Sequence, residues 1–484
     1  MSQYSLNRRN FLKTSVLAAG AATFGFPAFV RGQNLNSKLN IAVIGANGKG
    51  ASDTDCCASE NIYALCDVDK FRAVNPLKKY PDAKFFTDYR KLFDEVGKSI
   101  DAVNISTPDH THAVIAATAL KLGKHIYCQK PLTQTIYEAR HLLELAQSKQ
   151  VITQMGNQGS AADGLRRAVE VIQSGIVGPV KELHIWSNRP IWPQGIGRPE
   201  GSDPIPDDLD WEGWIGPAAM RPYKKGVYHA FNWRGWLDFG TGALGDMACH
   251  TVNMPFRALE LGFPTEIEGE GLAKMNEETY PLGSKVRFQF PKRGSAPHQA
   301  ALTLHWYDGG HPAPDAIDAK GEKKVSRHDG NNKPPRELLA AIEAARGEIP
   351  GSGCLIIGEG GQLFAPDDYG TQPLVKLTGD EKFISARTHP AAAAVPESVP
   401  RNPFKGSEDA RHHMEWINAI KENKPEQCYS RFEISAKLTE IMLLGCVALR
   451  LGKKIEWDGP GMRAKNAPEA ARFIKRENRA GWSL

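Results

Sequence analysis

The sequence predicts an α/β protein with a doubly wound parallel sheet in its N-terminal part and a large, mainly antiparallel open sheet in its C-terminal part. Between residues 38 and 160, short apolar strands alternate with helical segments, and this alternation indicates parallel pairing. After residue 160, strand-like runs of alternating polarity predominate, which is typical of antiparallel sheets. The length of 484 residues exceeds what one hydrophobic core usually organises, so two or three domains are expected.

The strands of the first sheet are short apolar runs that end at glycine, aspartate or proline-containing turns. A helix is predicted through Ala113–Leu122, and a second, amphipathic helix from Thr133 to about Ser148, because apolar side chains recur there at helical spacing. The predicted strands are Leu39–Ile44, Ile62–Cys66, Ala102–Ser106, Lys124–Cys128 and Val151–Met155.

The second sheet is predicted after a helix at Leu165–Ser174 and is interrupted by Pro/Gly-rich segments. Residues 307–352 and 366–406 are expected to be insertions or long loops. Helices at Glu408–Ile420 and Ile434–Arg450 are expected to cover this sheet. Its predicted strands are Val180–Trp186, Thr265–Leu272, Lys285–Phe290, Ala300–Trp306, Cys354–Ile357 and Gln362–Ala365.

The N-terminus predicts a twin-arginine (Tat) export signal. Arg8-Arg9 precedes Phe11-Leu12-Lys13, and an uncharged Ala/Gly-rich stretch follows from Thr14 to Val30. A membrane anchor is the alternative, but this stretch is short for a span. We therefore expect the Tat translocon as a partner and a periplasmic or otherwise exported location. The predicted segments are a signal at 1–32, a nucleotide-binding domain at 38–160, a substrate-binding and oligomerisation domain at 161–455, and a C-terminal tail at 456–484.

Charge and cysteine usage exclude two classes of function. The formal net charge of +5 is spread along the chain rather than gathered in a basic arm, so no nucleic-acid partner is expected. The eight cysteines form no Cys-x-x-Cys pair, so the sequence predicts neither a metal site nor a disulfide framework. We expect all eight to be free thiols that pack as small apolar side chains.

A glycine-rich loop after the first strand predicts dinucleotide binding. Gly45, Asn47, Gly48 and Gly50 lie where backbone N–H groups can approach a pyrophosphate at a helix N-terminus. Asn47 takes the middle place of the usual Gly-x-Gly-x-x-Gly, and asparagine tolerates a positive φ better than most residues. Asp67, 22 residues beyond Gly45, ends the next strand, where a carboxylate binds ribose hydroxyls and repels the extra phosphate of NADP. A plain glycine turn and a helix cap are the alternatives, but the combination predicts NAD rather than NADP.

Two further clusters carry groups for proton transfer. Lys130 ends a parallel strand, at the edge where such sheets bind ligands, and could bind a hydroxyl oxygen or remain a solvated surface cation. Asp246 and His250 lie four residues apart on one helical face. The aspartate could hold the imidazole in one tautomer while the imidazole takes a proton from an alcohol. A structural hydrogen-bonded pair, or half of a metal site, would place the same residues together.

These features together resemble the Gfo/Idh/MocA family of oxidoreductases, which includes glucose–fructose oxidoreductase and inositol dehydrogenases. The resemblance covers about residues 38–455. It implies a Rossmann domain followed by an α/β domain whose open sheet often mediates assembly, and hence a homo-oligomer. Beyond the glycine loop and Asp67 it rests on Ser106-Thr107-Pro108-Asp109-His110-Thr111-His112, Lys130-Pro131, Asp246-x-x-x-His250 and Leu451-Gly452-Lys453-Lys454-Ile455.

The resemblance also implies roles for single residues. Lys130, Asp246 and His250 correspond to the family's catalytic lysine, aspartate and histidine. Gln129 departs from the family, which usually has glutamate before Lys-Pro, and an uncharged amide cannot pair with Lys130 as a carboxylate would. The cofactor contacts implied at the strand ends are Thr107, Pro108, His112, Gln129 and Lys130.

The sequence therefore predicts an NAD-dependent enzyme that moves hydride between NAD and a CH–OH carbon of a sugar, glycoside or cyclitol. Tyr228, His229 and Arg234, in an aromatic-rich run, are the candidate substrate contacts, although core packing would explain such a run equally well. Two alternatives remain. One is a glycoside-cleaving enzyme that retains NAD and acts through a transient keto-sugar; the other is a non-catalytic sugar-binding protein on the same fold.

Overall fold

The structure of the protein is a computed structural model that describes residues 37–273, 275–313 and 328–484. The export signal predicted at residues 1–32 lies outside these ranges. Within them, no helix combines the length and the apolar character needed to cross a lipid bilayer.

The first sheet has six parallel strands in the order β3-β2-β1-β4-β5-β6, which confirms the predicted doubly wound sheet. The order turns back between β1 and β4, so a crevice opens at the carboxyl ends of these strands. Lys84–Phe86 is an edge strand that the sequence pattern missed, because three half-exposed residues carry no apolar run. The strands are β1 (Asn40–Ile44), β2 (Asn61–Cys66), β3 (Lys84–Phe86), β4 (Ala102–Ile105), β5 (His125–Cys128) and β6 (Thr153–Met155).

Local capping determines where the connecting helices begin. Asp69 and Asp88 accept backbone N–H groups at two helix starts, and Thr135 with Glu138 forms a reciprocal capping box at a third. This box starts the amphipathic helix three residues later than the sequence predicted. The helices are α1 (Lys49–Cys56), α2 (Lys70–Lys79), α3 (Tyr89–Val96), α4 (Asp109–Lys121) and α5 (Ile136–Lys149).

The second sheet has ten strands in the order β14-β13-β12-β11-β7-β10-β9-β8-β15-β16. All of its neighbours pair antiparallel except β7 and β10, so the predicted mainly antiparallel sheet is confirmed. The strands are β7 (Val180–Ser187), β8 (Glu266–Gly271), β9 (Ser284–Phe290), β10 (Leu302–Asp308), β11 (Gly353–Gly358), β12 (Gly361–Ala365), β13 (Leu374–Leu377), β14 (Ile384–Ser385), β15 (Ile455–Asp458) and β16 (Arg463–Ala464).

The helices of the C-terminal part cover both sheets. The long helix α13 is buried along most of its length and contacts α5, α8 and β8, so it joins the two halves. These helices are α6 (Asp163–Gln173), α7 (Trp211–Ile215), α8 (Gly242–Thr251), α9 (Asn253–Ala258), α10 (Arg336–Arg346), α11 (Pro390–Ala393), α12 (Glu408–Glu422), α13 (Phe432–Leu451) and α14 (Ala471–Ile474).

One helix covers a different sheet from the one predicted. Helix α12 packs its Trp416 and Ile417 against Val43 and the other apolar residues of the parallel sheet, and not against the second sheet. An amphipathic pattern shows that a helix has an apolar face, but it does not say which distant partner receives that face. The helix returns the end of the chain to the first sheet, beside the glycine loop.

Three segments expected to be loops or a tail are built into the fold. Residues 307–352 contain α10, whose Leu339 and Ile342 pack on the second sheet, and residues 366–406 contain β13, β14 and α11. Residues 456–484 add β16 to the sheet and then cross to the first domain. The cysteines behave as expected: all eight are free thiols, and all but Cys56 are buried.

Candidate active site

A cavity of about 570 Å³ lies at the carboxyl ends of the parallel strands. It is lined by residues after the first five parallel strands, by residues of the segments 189–250 and 368–369, and by Gln158 and Trp482. Most of the residues singled out in the sequence line this single cavity: Gly45, Asn47, Gly48, Asp67, Thr107, Pro108, Gln129, Lys130, His229, Arg234, Asp246 and His250.

The glycine loop leaves room for a phosphate group. Gly45 has φ +83°, and a Cβ there would lie 2.8 Å from the carbonyl oxygen of Ser106. Gly48 caps α1 without a side-chain hydrogen bond, so the first N–H groups of the helix remain available at the cavity. Gly50 lies beneath the loop and not in the cavity lining, since a Cβ there would overlap the carbonyl of Gly45 at 1.6 Å. The loop therefore fits a dinucleotide pyrophosphate.

Asp67 places a carboxylate beside the glycine loop. One carboxylate oxygen accepts the N–H of Asn47 at 3.2 Å, and the other accepts the N–H of Asp69 at 3.0 Å. Burial raises the pKa of Asp67 to about 6 despite these bonds. Each oxygen keeps a lone pair for a ribose hydroxyl, as the sequence position indicates.

Lys130 forms its ion pair with Asp246. The Lys130 Nζ lies 3.0 Å from the Asp246 Oδ1 and donates a second hydrogen bond, also 3.0 Å, to the Asp246 carbonyl. The same Oδ1 accepts the Arg234 Nε at 3.3 Å. Burial opposes ionisation of Asp246, but Lys130 and Arg234 hold its pKa below the usual range. The aspartate thus supplies Lys130 with a carboxylate partner and orients the lysine, whereas the sequence predicted that it would orient His250.

His250 lies in the cavity wall on the same helix. Its ring packs edge-on against Tyr369, with the two ring centroids 5.0 Å apart. The Nδ1 atom is buried and has no hydrogen-bond partner among the described residues. Burial, followed by the charge of Lys130, holds the pKa of His250 well below its ordinary value, so the imidazole is neutral at pH 7. A neutral imidazole beside a lysine can accept a proton from an alcohol.

Asp109 is a further acid in the lining of this cavity, and the sequence did not predict it as a site residue. It begins α4 and is buried, with one oxygen accepting the hydroxyl of Thr241 at 2.8 Å. The other oxygen has no partner in the part of the chain that the structure describes. Burial, with the charge of Asp246 adding to it, raises the pKa of Asp109 to about 7. Asp109 therefore exchanges a proton in the physiological pH range at the wall of this cavity.

Gln129 contacts a carboxylate other than the one that pairs with Lys130. Its amide Nε2 donates to Asp53 Oδ2 at 2.8 Å, and Ser106 donates to the same oxygen at 2.7 Å. Asp53 is fully buried on α1, and its other oxygen pairs with Lys49 at 2.8 Å. The amide at position 129 is thus the donor that this buried carboxylate needs.

Three predicted site residues have other roles. Tyr228 lies outside the cavity lining and packs against Trp236 and Phe239 in an aromatic core. His112 is buried, and its ring nitrogens lie 2.8 Å from the carbonyl oxygen of Thr107 and 2.9 Å from that of Pro131, so its one N–H bonds one of the two carbonyls; the residue lies outside the lining of this cavity. His229 does line the cavity, but its Nε2 pairs with Asp69 at 2.7 Å, near Asp67 rather than near Lys130.

Several lining residues were not predicted. Asp368 and Tyr369 lie in a segment expected to be a loop, and Trp482 lies in the expected tail. Arg189 and Trp192 line the same cavity and lie outside the predicted strands and helices. Residues in irregular segments follow no helical or strand-like periodicity, so their positions in the sequence do not indicate that they line a site. Ile191 and Phe231, two exposed apolar residues, also line this cavity.

One group of side chains outside the cavity could supply metal ligands. Glu182, His184 and His305 lie on neighbouring strands, with ligand atoms within 4.8 Å of one another. The two imidazole rings, however, are stacked almost parallel, with centroids 4.8 Å apart and planes 6° apart. An ion lies in the plane of each imidazole that binds it, so these rings would have to turn before they shared one, and we assign no metal here.

Comparison with known proteins matches two segments of the chain to models of one family. Residues 39–157 match the model described as oxidoreductase family, NAD-binding Rossmann fold, and residues 187–259 match the model of the same family's C-terminal alpha/beta domain. A levoglucosan dehydrogenase of Pseudarthrobacter phenanthrenivorans is 23% identical over 45% of this chain and 50% of its own length. An inositol 2-dehydrogenase of Salmonella typhimurium is 30% identical over 25% of this chain and 37% of its own. The matches thus span half or less of these relatives.

Solved structures share the fold over most of the chain. A levoglucosan dehydrogenase in complex with NADH and levoglucosan superposes with a TM-score of 0.56 at 16% identity, covering 87% of this chain and 99% of the other. An inositol dehydrogenase homologue from Azotobacter vinelandii, with NADH and myo-inositol, gives 0.56 at 15% identity over 87% and 98%. The two segments that match are thus similar to the Gfo/Idh/MocA family of oxidoreductases, the first of them to its NAD-binding Rossmann fold.

Proposed function

We propose that the protein is an NAD-dependent dehydrogenase that transfers hydride between NAD and a secondary alcohol or ketone carbon of a sugar, glycoside or cyclitol. One observation carries this proposal: the glycine loop, Asp67, Lys130, Asp246 and His250 all line one cavity. The relatives that act on levoglucosan and inositol support a polyhydroxylated substrate.

The chain's own residues divide the chemistry between them. Lys130 uses two donors on Asp246, which leaves one N–H for the reacting substrate oxygen. His250, neutral at pH 7, takes the hydroxyl proton when the alcohol is oxidised and returns it on reduction. The Asp246 carboxylate keeps Lys130 in place. NAD, when bound over the glycine loop with its ribose at Asp67, accepts or returns the hydride.

Polar groups around His250 suit a ligand with several hydroxyls. Asp368 has one buried oxygen without a partner among the described residues, and Arg189 lies in the same wall. Trp192 adds an aromatic face, and its Nε1 is already bonded to Gln194 at 2.8 Å. An acceptor, a cation and an apolar ring in one pocket recognise the polar edges and the C–H face of a sugar or cyclitol.

The test combines cofactor analysis with a substrate panel. Protein purified from cytoplasm is analysed by mass spectrometry for bound NAD, and NADH formation is then followed with free polyols, anhydrosugars, cyclitols and glycosides. Oxidation of a free polyol with net NADH formation supports the proposal. Release of free sugar from a glycoside without net NADH would favour the NAD-retaining glycoside-cleaving alternative. Bound NAD with no turnover on any compound would favour the non-catalytic sugar-binding alternative.

Asp67 makes NAD affinity dependent on pH. Its pKa is raised to about 6 in the free protein, and its charged form is the better acceptor for ribose hydroxyls. Affinity is therefore full above pH 6 and falls as the pH drops through 6. Calorimetric titration of the wild type between pH 5 and pH 8 should show this loss, and Asp67→Asn should bind NAD weakly with little pH dependence. Equal pH profiles for the two proteins would exclude Asp67 as the ribose partner.

We also propose that the protein is exported through the Tat pathway and that it assembles into a homo-oligomer. We expect Arg8→Lys/Arg9→Lys to leave folded protein in the cytoplasm, because the Tat pathway reads the arginine pair. An unchanged periplasmic yield would contradict export by this route. Homo-oligomer formation rests on the family resemblance, and sedimentation velocity of the wild type tests it directly.

A further inference from the structure

The position of Asp67 and Lys130 determines which end of the cavity receives adenine. Lys130 follows β5 and marks the reacting end, whereas Asp67 follows β2 and marks the ribose of the adenosine half. The remaining wall, on the side of β3, lies beyond Asp67 and away from Lys130. It is lined by the first residues of α3 and by Thr111, Ile115 and Trp482. A dinucleotide bound with a ribose at Asp67 would place its adenine ring at this end of the cavity.

Residues 476–484 reach this end and are anchored there. Arg476 donates to the carbonyl of His110, in the first turn of α4, and lies 3.3 Å from the carboxylate of Glu138. Arg479 donates to the carbonyls of Gly216 and Glu212, both at 3.0 Å. The segment thus joins two helices of the nucleotide-binding domain to α7, which lies in the C-terminal part.

These anchors place the Trp482 ring against the start of α3. The ring is 7% exposed, its centroid lies 6.1 Å from that of Tyr89, and the Arg90 guanidinium lies 4.5 Å from it. A Cβ placed on Gly216 would come within 2.9 Å of Thr111 and 3.6 Å of the indole, so glycine allows helix α4 and the tail to approach each other. The indole therefore fills the gap between the start of α3 and the first turn of α4.

We propose that residues 476–484 complete the adenine pocket, with Trp482 as its ring wall. The segment is part of the cofactor site, although it lies more than 400 residues beyond the glycine loop. An aromatic wall contributes affinity for a base through stacking or edge contact, and it does so without contacting the nicotinamide half. The inference rests on NAD being the cofactor, but not on which alcohol is oxidised.

The test measures binding of the adenine half and of the nicotinamide half of the cofactor separately. Calorimetry measures the affinity of the wild type and of Trp482→Leu for ADP-ribose, which carries the adenine half, and for nicotinamide mononucleotide. We expect Trp482→Leu to bind ADP-ribose at least about tenfold more weakly, in line with the loss of one aromatic contact to a base. Its affinity for nicotinamide mononucleotide should not change, and Trp482→Phe should retain most of the ADP-ribose affinity.

Controls distinguish this role from general packing. Trp457 is also buried but lies outside the cavity lining, so Trp457→Leu should lower the melting temperature and leave ADP-ribose affinity unchanged. Arg479→Ala should weaken ADP-ribose binding, because it releases the segment. Equal ADP-ribose affinity in the wild type and Trp482→Leu would overturn the proposal. Failure of the wild type to bind either NAD or ADP-ribose would instead overturn the NAD assignment itself.

Discussion

His250→Ala is expected to slow single-turnover hydride transfer by about 10²- to 10⁴-fold, the usual contribution of a positioned general base. Its imidazole is neutral at pH 7, because burial and the charge of Lys130 lower its pKa, and the neutral ring is the form that can accept a proton. NAD affinity should stay near the wild-type value, since His250 belongs to α8 and is part of neither the glycine loop nor the strand end that carries Asp67. Stopped-flow absorbance at the NADH band, with the polyol found in the substrate panel, measures the rate.

His184→Ala is the matched control for this experiment, because His184 is also buried but lies on β7, outside the cavity lining. Its transfer rate should equal that of the wild type. Lys130→Ala should resemble His250→Ala. Asp246→Asn should also be strongly impaired, since it leaves Lys130 and Arg234 without their shared carboxylate. A wild-type rate in His250→Ala would show that the histidine is structural.

The fold was predictable from the sequence to the extent that it depends on short-range pattern. All strands of the first sheet except the edge strand β3 were predicted within two residues of their observed ends. The placement of α12 on the parallel sheet was not predictable, because it depends on which apolar surface remains uncovered when the chain returns. The glycine loop, Asp67, Lys130, Asp246 and His250 meet in one cavity, as their motifs indicated.

What the sequence could not supply were contacts made across long separations. Asp246 and His250 share a helix face, which suggested that they bond each other, yet the carboxylate lies against Lys130, 116 residues away in the chain. A pairing of this kind depends on how two domains are docked, and helical spacing carries no information about it. The same reason explains why Asp368 and Trp482 were missed, since their neighbours in sequence are irregular loops.

Gln129→Glu is expected to destabilise the protein strongly, although it restores the residue that the family usually has before Lys-Pro. The new carboxylate would stand where the Gln129 amide now donates to Asp53 at 2.8 Å, and Asp53 is fully buried. Two buried carboxylates at this distance cannot both be ionised. We expect the unfolding free energy at pH 8 to fall by about 3–5 kcal/mol, the usual magnitude for an uncompensated buried charge.

The pH dependence of stability and a second substitution test whether repulsion between the new carboxylate and Asp53 causes the loss. The pKa of the new acid is raised in the folded state above its unfolded value of about 4.3, so the deficit should be small near pH 4 and grow as the pH rises. The double variant Asp53→Asn/Gln129→Glu exchanges the positions of the acid and the amide, so it should recover most of the lost unfolding free energy. Gln129→Ala adds no charge and should lower the unfolding free energy by about 1–3 kcal/mol, because Asp53 loses one hydrogen-bond donor. Urea denaturation of the four proteins at pH 5 and pH 8 measures these values. If Gln129→Glu were as stable as the wild type at pH 8, the buried Asp53 could not be the reason why this chain departs from its family at position 129.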